Sequence, residues 1–314
     1  CVMAPAFPAT GRTTEAGCVR LNGQALEATT LWRRDHTYSS GDLVAMLAAV
    51  GLQVQAVALA DVRAGSEAVM RRVYDAAEGG MDAVVCDAVV QGDLDIVARA
   101  TLPLASQLFW TGSGGLALAL AQVLAEAGVM SGVVSADPCP VAGGILLVVG
   151  SLAEASRGAA AQLADQGVLL TVAIPPATLL AGPDGAAWQD AQRRIADALA
   201  RGEDVLVELT ADAHADLSES AALARQLAAL LQPVGPSLGA LFATGGETAL
   251  AILDALGVTG IRLVDEIEPG VPLGFMRGAL TAPVVTKAGA FGDAGTLIRC
   301  LAHLRSLRRT ETAI

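Results

Sequence analysis

Lysine is nearly absent from this chain. Lys287 is the only one in 314 residues, against 19 arginines, and the net charge is −12. A non-specific nucleic-acid surface needs clustered cations to neutralise phosphates, so that class is set aside. The acidic balance serves solubility, and an anionic ligand would need a local positive pocket. Histidine is scarce too: His36, His214 and His303 are scattered, with no metal spacing and no legible Ser/His/Asp set, which leaves nucleophilic hydrolase chemistry without support. The five cysteines (Cys1, Cys18, Cys86, Cys139, Cys300) contain no CxxC pair. That argues against structural zinc and a disulfide framework, and for reduced thiols in a cytoplasm. Mean hydropathy is +0.53, yet runs such as 145–149 and 168–174 fall far short of the ~20 apolar residues of a spanning helix. Aromatics are 3% of residues, so the core is expected to be aliphatic. No fixed-period repeat and no low-complexity tract is present.

What the chain has is alternation. Short β-rich runs (54–59, 83–86, 108–111, 145–149, 169–173, 204–209, 240–243, 260–263, 283–286) alternate with Ala/Leu/Arg-rich helical stretches. Residues 2–8 read as the end of a strand already inside a fold. Near-continuous apolar strands between helices predict an α/β protein whose sheets are parallel or mixed and covered by helices. A length of 314 residues suggests two domains. The Gly/Pro-rich stretch at 131–144 is the expected linker between domains 1–130 and 145–314, with a cleft between them. Residues 174–185 read as a surface loop, and 265–274 as three carboxylates before a rigid turn.

The glycine turns carry the chemistry. Thr244-Gly245-Gly246-Glu247-Thr248 follows a strand and opens a helix, where free N–H groups and the helix dipole favour phosphate; an ordinary strand-to-helix turn is the plain alternative. Lys287-Ala288-Gly289-Ala290-Phe291-Gly292 follows another strand. Amides at Gly289 and Gly292 form a candidate anion nest, and a lone lysine among arginines suits a compact phosphate contact; the plain alternative is an exposed lysine at a strand end. TGSGGLA (111–117) fits the dinucleotide fingerprint weakly, with no ribose-binding acid at the right distance, so it is phosphate-friendly or purely structural. Asp265, Glu266 and Glu268 are either water-mediated Mg²⁺ ligands or a solvated loop. Arg12 is a carboxylate clamp or a surface arginine.

In order and spacing, GGETA (245–249), EIEPGVPLG (266–274) and TKAGAFG (286–292), supported by APAFPATGRT, VRAG, CDA, TGSGGLA and VGSLAEAS, resemble the four-carbon acid sugar kinase family, the ATP-dependent tetronate kinases. The resemblance runs from residue 5 almost to residue 304. It implies an N-terminal acid-sugar-binding domain and a C-terminal nucleotide-binding domain. It also implies that Gly150, Ser151, Gly245, Gly246, Glu247, Thr248, Lys287, Gly289, Ala290, Phe291 and Gly292 line an ATP site, with Arg12 on the sugar-acid side.

Departures accompany it. The usual KSGNFG reads KAGAFG, and the GSxSxxTxxQ run has Ala153 and Ala159 for its second Ser and its Gln. The DDxTGA and K-x-DST-x-RG motifs, expected to bring the catalytic Asp, do not occur in this chain and are expected upstream of residue 1.

The implied activity is ATP- and Mg²⁺-dependent phosphorylation of a tetronate or 3-oxo-tetronate hydroxyl, with turnover by these 314 residues alone expected to be negligible. No protein metal cage is expected. The implied partners are a small sugar acid and ATP, without nucleic acid or membrane; a homo-oligomer is allowed, not required. Two alternatives stay open: a non-catalytic nucleotide- or acid-binding relative, and a nicotinamide enzyme using TGSGGLA.

Overall fold

A computed structural model describes residues 1–29, 32, 38–129, 143–150, 154–210, 220–289 and 291–309. Ser151, Ala290, most of the 131–144 stretch, Cys139, His36 and His214 lie outside them. The chain divides into two compact units, Cys1–Val133 and Val134–Ile314.

The first unit holds β1 (Val2–Ala4), a small antiparallel sheet of β2 (Arg12–Glu15), β3 (Cys18–Leu21) and β4 (Gln24–Ala25), then α1 (Leu43–Ala49), β5 (Val54–Val57), α2 (Leu59–Arg63), α3 (Ser66–Glu78), β6 (Ala83–Cys86), α4 (Gln91–Thr101), β7 (Trp110–Gly112) and α5 (Gly114–Glu126). The main sheet has the order β5-β6-β1-β7, parallel throughout. β6 is buried at every position, as a strand covered on both faces must be. α3 buries Val69, Val73 and Ala76, one stripe at helical spacing.

The second unit runs β8 (Gly144–Val149), α6 (Glu154–Ala164), β9 (Leu170–Ile174), α7 (Pro176–Ala181), α8 (Ala186–Ala200), β10 (Val205–Leu209), α9 (Ser220–Leu231), β11 (Leu238–Thr244), α10 (Gly246–Ala255), β12 (Val258–Glu268), β13 (Val271–Gly278), β14 (Pro283–Lys287) and α11 (Thr296–Arg309). Its seven strands lie in the order β12-β13-β14-β11-β8-β10-β9. Five are parallel; β13 runs antiparallel to β12 and β14. β8 and β11 are buried along their whole length, with helices on both faces. The core is aliphatic, Phe242 and Trp188 being its main aromatics.

The chain leaves β8 toward β9 and β10 on one side and leaves β11 toward β14 on the other. The gap between β8 and β11 is therefore the topological switch point, the place where open α/β sheets accept ligands at the carboxyl ends of their strands.

Three expectations change. Residues 174–185 are not a plain surface loop: α7 forms there and buries Pro176 and Leu179. The acidic 265–274 stretch is neither a loop nor a carboxylate cluster but the bend of the β12/β13 hairpin, turning at Pro269-Gly270 with Gly270 at φ +82°. The run at 54–59 stops at Val57, because Leu59 already opens α2.

Candidate functional site

Thr244 pairs in register with Val149 on one side and with Lys287 on the other. Neighbouring strands lie ~4.8 Å apart, so the three strand ends, with Gly150, Gly245 and Ala288 directly after them, lie along an edge about 10 Å across. The Gly245 N–H donates to the Lys287 carbonyl at 3.0 Å, tying the second bend to the third.

At the second bend Gly245 takes φ +95° and caps α10 without any side-chain acceptor. Ala249 makes the first helical bond, to the Gly245 carbonyl. The N–H groups of Gly246, Glu247 and Thr248 therefore have no acceptor within the helix, and the positive end of its dipole points the same way. Among the described residues, no heavy atom beyond its chain neighbours and its own helix backbone lies within 4 Å of where a Gly246 Cβ would stand. Glu247 turns aside and accepts from Ser220 Oγ at 3.1 Å. Gly150, at the first bend, packs against Thr248: a Cβ there would fall 2.4 Å from the Thr248 hydroxyl.

The third bend differs from expectation. Lys287 is 4% exposed. Its Nζ faces Ser156 Oγ at 3.1 Å and the carbonyls of Ala288 (3.2 Å), Gly289 (3.3 Å) and Phe291 (2.6 Å). An ammonium has three hydrogens, and these acceptors use them all. Lys287 is thus an internal cross-brace, not the exposed strand-end lysine of the plain alternative. Burial lowers its pKa, with the nearby Cys300 and Glu268 pulling it back up. Ser156, wholly buried, relays the contact by donating to the Gly289 carbonyl at 2.8 Å and lying 3.3 Å from Thr244 Oγ1.

The hairpin bend docks on this loop. The Phe291 ring lies where a Gly270 Cβ would be, 2.4 Å away. Glu268 accepts from Thr296 Oγ1 and from Arg299, and Arg299 also pairs with Asp293 at 2.8 Å. Glu266 accepts from the Gly270 N–H, and Asp265 from the Glu266 N–H. Asp265 and Glu266 thus serve the hairpin's own turn, and Glu268 ties the hairpin to the start of α11. Among the described residues no group of three or more His, Cys, Asp or Glu is arranged to hold a metal.

In the first unit the TGSGGLA glycines are explained by packing. A Cβ at Gly112 would meet the Ala4 carbonyl at 2.5 Å, one at Gly114 the Phe7 ring at 2.9 Å, and one at Gly115 the Ala6 carbonyl at 2.6 Å. Ser113 caps α5 and donates to the Ala6 carbonyl. The sides of these glycines where a side chain would stand face the chain's own 4–7 segment, which is reason enough for glycine there. Arg12 opens β2, and burial lowers its pKa. Two residues the sequence reading left unassigned organise this unit. Buried Asp87 accepts from the N–H groups of Ala16 (2.7 Å), Gly17 (2.9 Å) and Leu59 (3.2 Å). Asp93 takes Arg63 bidentately at 3.0 and 3.2 Å, which gives the VRAG arginine its role. Burial raises the Asp93 pKa, but the bonds from Arg63, Val89 and Val90 outweigh it and leave the carboxyl below its usual range.

An uncapped helix start, open space over Gly246 and clustered glycine bends at a switch point suit the phosphates of a nucleotide. Comparison with known proteins agrees. A family described as "Sugar-binding N-terminal domain" matches residues 1–120, and one described as "Nucleotide-binding C-terminal domain" matches residues 146–297. A D-threonate kinase of Cupriavidus necator is 42% identical over 94% of this chain and 71% of its own length. A D-threonate kinase of Bordetella bronchiseptica is 34% identical over 99% and 72%, and a 3-oxo-tetronate kinase of Methylobacterium radiotolerans 31% identical over 96% and 72%. A solved structure from Salmonella typhimurium LT2 shares the fold at TM-score 0.73 and 22% identity, over 96% of this chain and 73% of that one. Among the described residues no helix is long and apolar enough to cross a membrane. With both domain families matched in order and relatives aligned along nearly its whole length, this chain belongs to the four-carbon acid sugar kinase family.

Proposed function

We propose that this protein transfers a phosphoryl group from ATP to a hydroxyl of a four-carbon sugar acid of the threonate, erythronate or 3-oxo-tetronate type. The observation that carries this reading is the register of Thr244 with Val149 and Lys287, which brings Gly150, Gly245 and the start of the Lys287–Gly289 loop to one sheet edge.

ATP supplies the transferable phosphoryl group. Phosphoryl transfer asks the protein chiefly for positioning and charge stabilisation. The chain's own contributions are main-chain donors. Gly246, Glu247 and Thr248 present the first-turn N–H groups of α10, and Gly289 and Gly292 present amides from the third bend. Gly150 adds its backbone on the β8 side and Phe291 belongs to the third bend; the family resemblance assigns Ser151 and Ala290, which lie outside the described residues, to the same site. Mg²⁺ accompanies the nucleotide in this reading and is held mainly by phosphate oxygens and water, as small hard cations commonly are. Residues 1–130 take the sugar acid, with Arg12 as a carboxylate contact, and residues 145–314 take the nucleotide. A cytoplasmic setting fits the buried, unpaired thiols of Cys86 and Cys300.

The test is calorimetric titration with ATP and with NAD, followed by phosphorus NMR of mixtures containing ATP and each four-carbon acid. ATP binding with a new sugar-acid phosphate signal supports the reading. Preference for NAD, or no binding of ATP, overturns it; ATP binding without transfer to any four-carbon acid favours the non-catalytic alternative.

A further inference from the structure

Three groups were available to the Lys287 ammonium: solvent, a ligand at the sheet edge, or the chain itself. The chain takes it entirely. Its acceptors are Ser156 Oγ and the carbonyls of Ala288, Gly289 and Phe291, all within 3.3 Å. Across a trans peptide the C=O and the following N–H point in opposite directions. A carbonyl of Ala288 drawn inward therefore turns the Gly289 N–H outward, and a carbonyl of Phe291 drawn inward turns the Gly292 N–H outward. Neither of these two N–H groups donates to an acceptor among the described residues. The Lys287 carbonyl, at the same strand end, takes the Gly245 N–H and so fixes the neighbouring bend as well.

We propose that Lys287 is a positioning residue that never touches the nucleotide: with Ser156 as its anchor, its buried ammonium gathers the loop carbonyls and thereby aims the Gly289 and Gly292 amides at the phosphates. This rests on the nucleotide reading above. It deepens it by removing the lysine from direct contact and by bringing Ser156, on a different helix, into the site's support. The chemistry explains why one lysine persists among arginines. A compact ammonium with three diverging hydrogens fits a ring of carbonyls, where a planar guanidinium does not.

The single lysine makes the test direct. The wild-type chain is treated with an amine-acylating reagent, with and without saturating ATP, and the modified positions are read by mass spectrometry. Lys287 should stay unmodified in both states while the N-terminal amine reacts. Labelling of Lys287 in the free protein, followed by protection with ATP, would show a ligand contact and overturn the proposal. Calorimetry on the same wild-type sample separates this from failure of the nucleotide reading, which would appear as no ATP binding at all. Two variants complete the test. Ser156→Ala removes no charge, yet it should weaken ATP binding about tenfold, the equivalent of one well-placed hydrogen bond. Lys287→Arg keeps the charge and should weaken it at least as much. If Ser156→Ala binds ATP as wild type does, or if arginine restores full affinity, the lysine acts by charge and the positioning role is wrong.

Discussion

Gly150 stands so close to Thr248 that a Cβ on the glycine would lie 2.4 Å from the threonine hydroxyl. This contact joins the bend after β8 to the first turn of α10 across the switch point, and it sets the width of the edge where phosphates are expected.

Substitution at this contact separates packing from binding. Gly150→Ala forces the two bends apart and should cost about 1–3 kcal/mol in a urea titration, as overpacking does. Gly246→Ala should behave oppositely. Among the described residues nothing outside its own helix crowds its Cβ position, and alanine is the better helix residue, so stability should hold or rise by up to about 1 kcal/mol. ATP affinity should nevertheless fall about tenfold, because the methyl intrudes where a phosphate approaches the backbone. A Gly246→Ala variant with unchanged ATP affinity would remove α10 from the site.

Gly270→Ala tests the docking of the hairpin on the third bend. The residue has φ +82°, and its Cβ would enter the Phe291 ring. Gly51 has φ +90° with nothing within 4 Å, so Gly51→Ala measures the backbone strain alone, about 1 kcal/mol. Gly270→Ala should exceed that by a further 1 kcal/mol or more of steric cost, on the order seen for overpacked sites. Equal losses in thermal or urea unfolding would mean that the ring contact is not rigid.

Asp87→Asn addresses the first unit. The carboxylate accepts three N–H bonds, two of them from the Ala16-Gly17 turn with its positive φ values. Asparagine offers one acceptor oxygen and turns an NH₂ group toward a donor. We expect a loss of about 1–3 kcal/mol and faster hydrogen exchange at Ala16 and Gly17. A change within about 0.5 kcal/mol, the range of ordinary surface substitutions, would contradict it.

Stability should fall at alkaline pH. Burial, with a smaller push from Asp87, raises the Cys86 thiol to about 12, and burial, with a smaller push from Glu268, raises the Cys300 thiol to about 12. In the unfolded chain a thiol loses its proton near ~8.5. Between there and about 12 the native state therefore holds more protons than the unfolded one, and stability falls as pH rises, by ~1.4 kcal/mol per pH unit for each thiol. Lys287 works the other way: its pKa is lowered, so it adds stability as pH rises from that lowered value toward its unfolded one. Burial also raises the Cys18 thiol, so one group stands against three. The urea midpoint should drop from pH 8.5 to pH 10.5, and the Cys86→Ala/Cys300→Ala variant should drop less. Parallel slopes would exclude the thiols.

Much of this was legible in the chain. Runs such as 145–149 and 204–209 were readable as strands because both faces are buried, leaving no polar alternation to confuse them. β13 was missed because Pro269-Gly270 and Pro272 read as one extended turn, whereas only the first two make the bend. β2, β3 and β4 were missed because pieces such as RTTE and CVRL carry no apolar period. The inward lysine had a signal that went unused. In a strand, residues two apart share a face, so Lys287 lies with Val285, which packs among Leu297 and Cys300. Ser156 likewise shares the helical stripe of Ala160 and Leu163, both fully buried, and a buried hydroxyl there requires a partner. Residue type alone left an exposed lysine open; periodicity places the side chain inward.

Hydrogen exchange of the full chain, with and without ATP, tests the central claim most directly. Saturating ATP should slow exchange together in peptides covering 244–249 and 287–292, and leave 111–117 and the opposite sheet edge at 167–170 unchanged. Protection at 111–117 alone, or at none of these segments while ATP is shown to bind, would contradict a phosphate site at the ends of β8, β11 and β14.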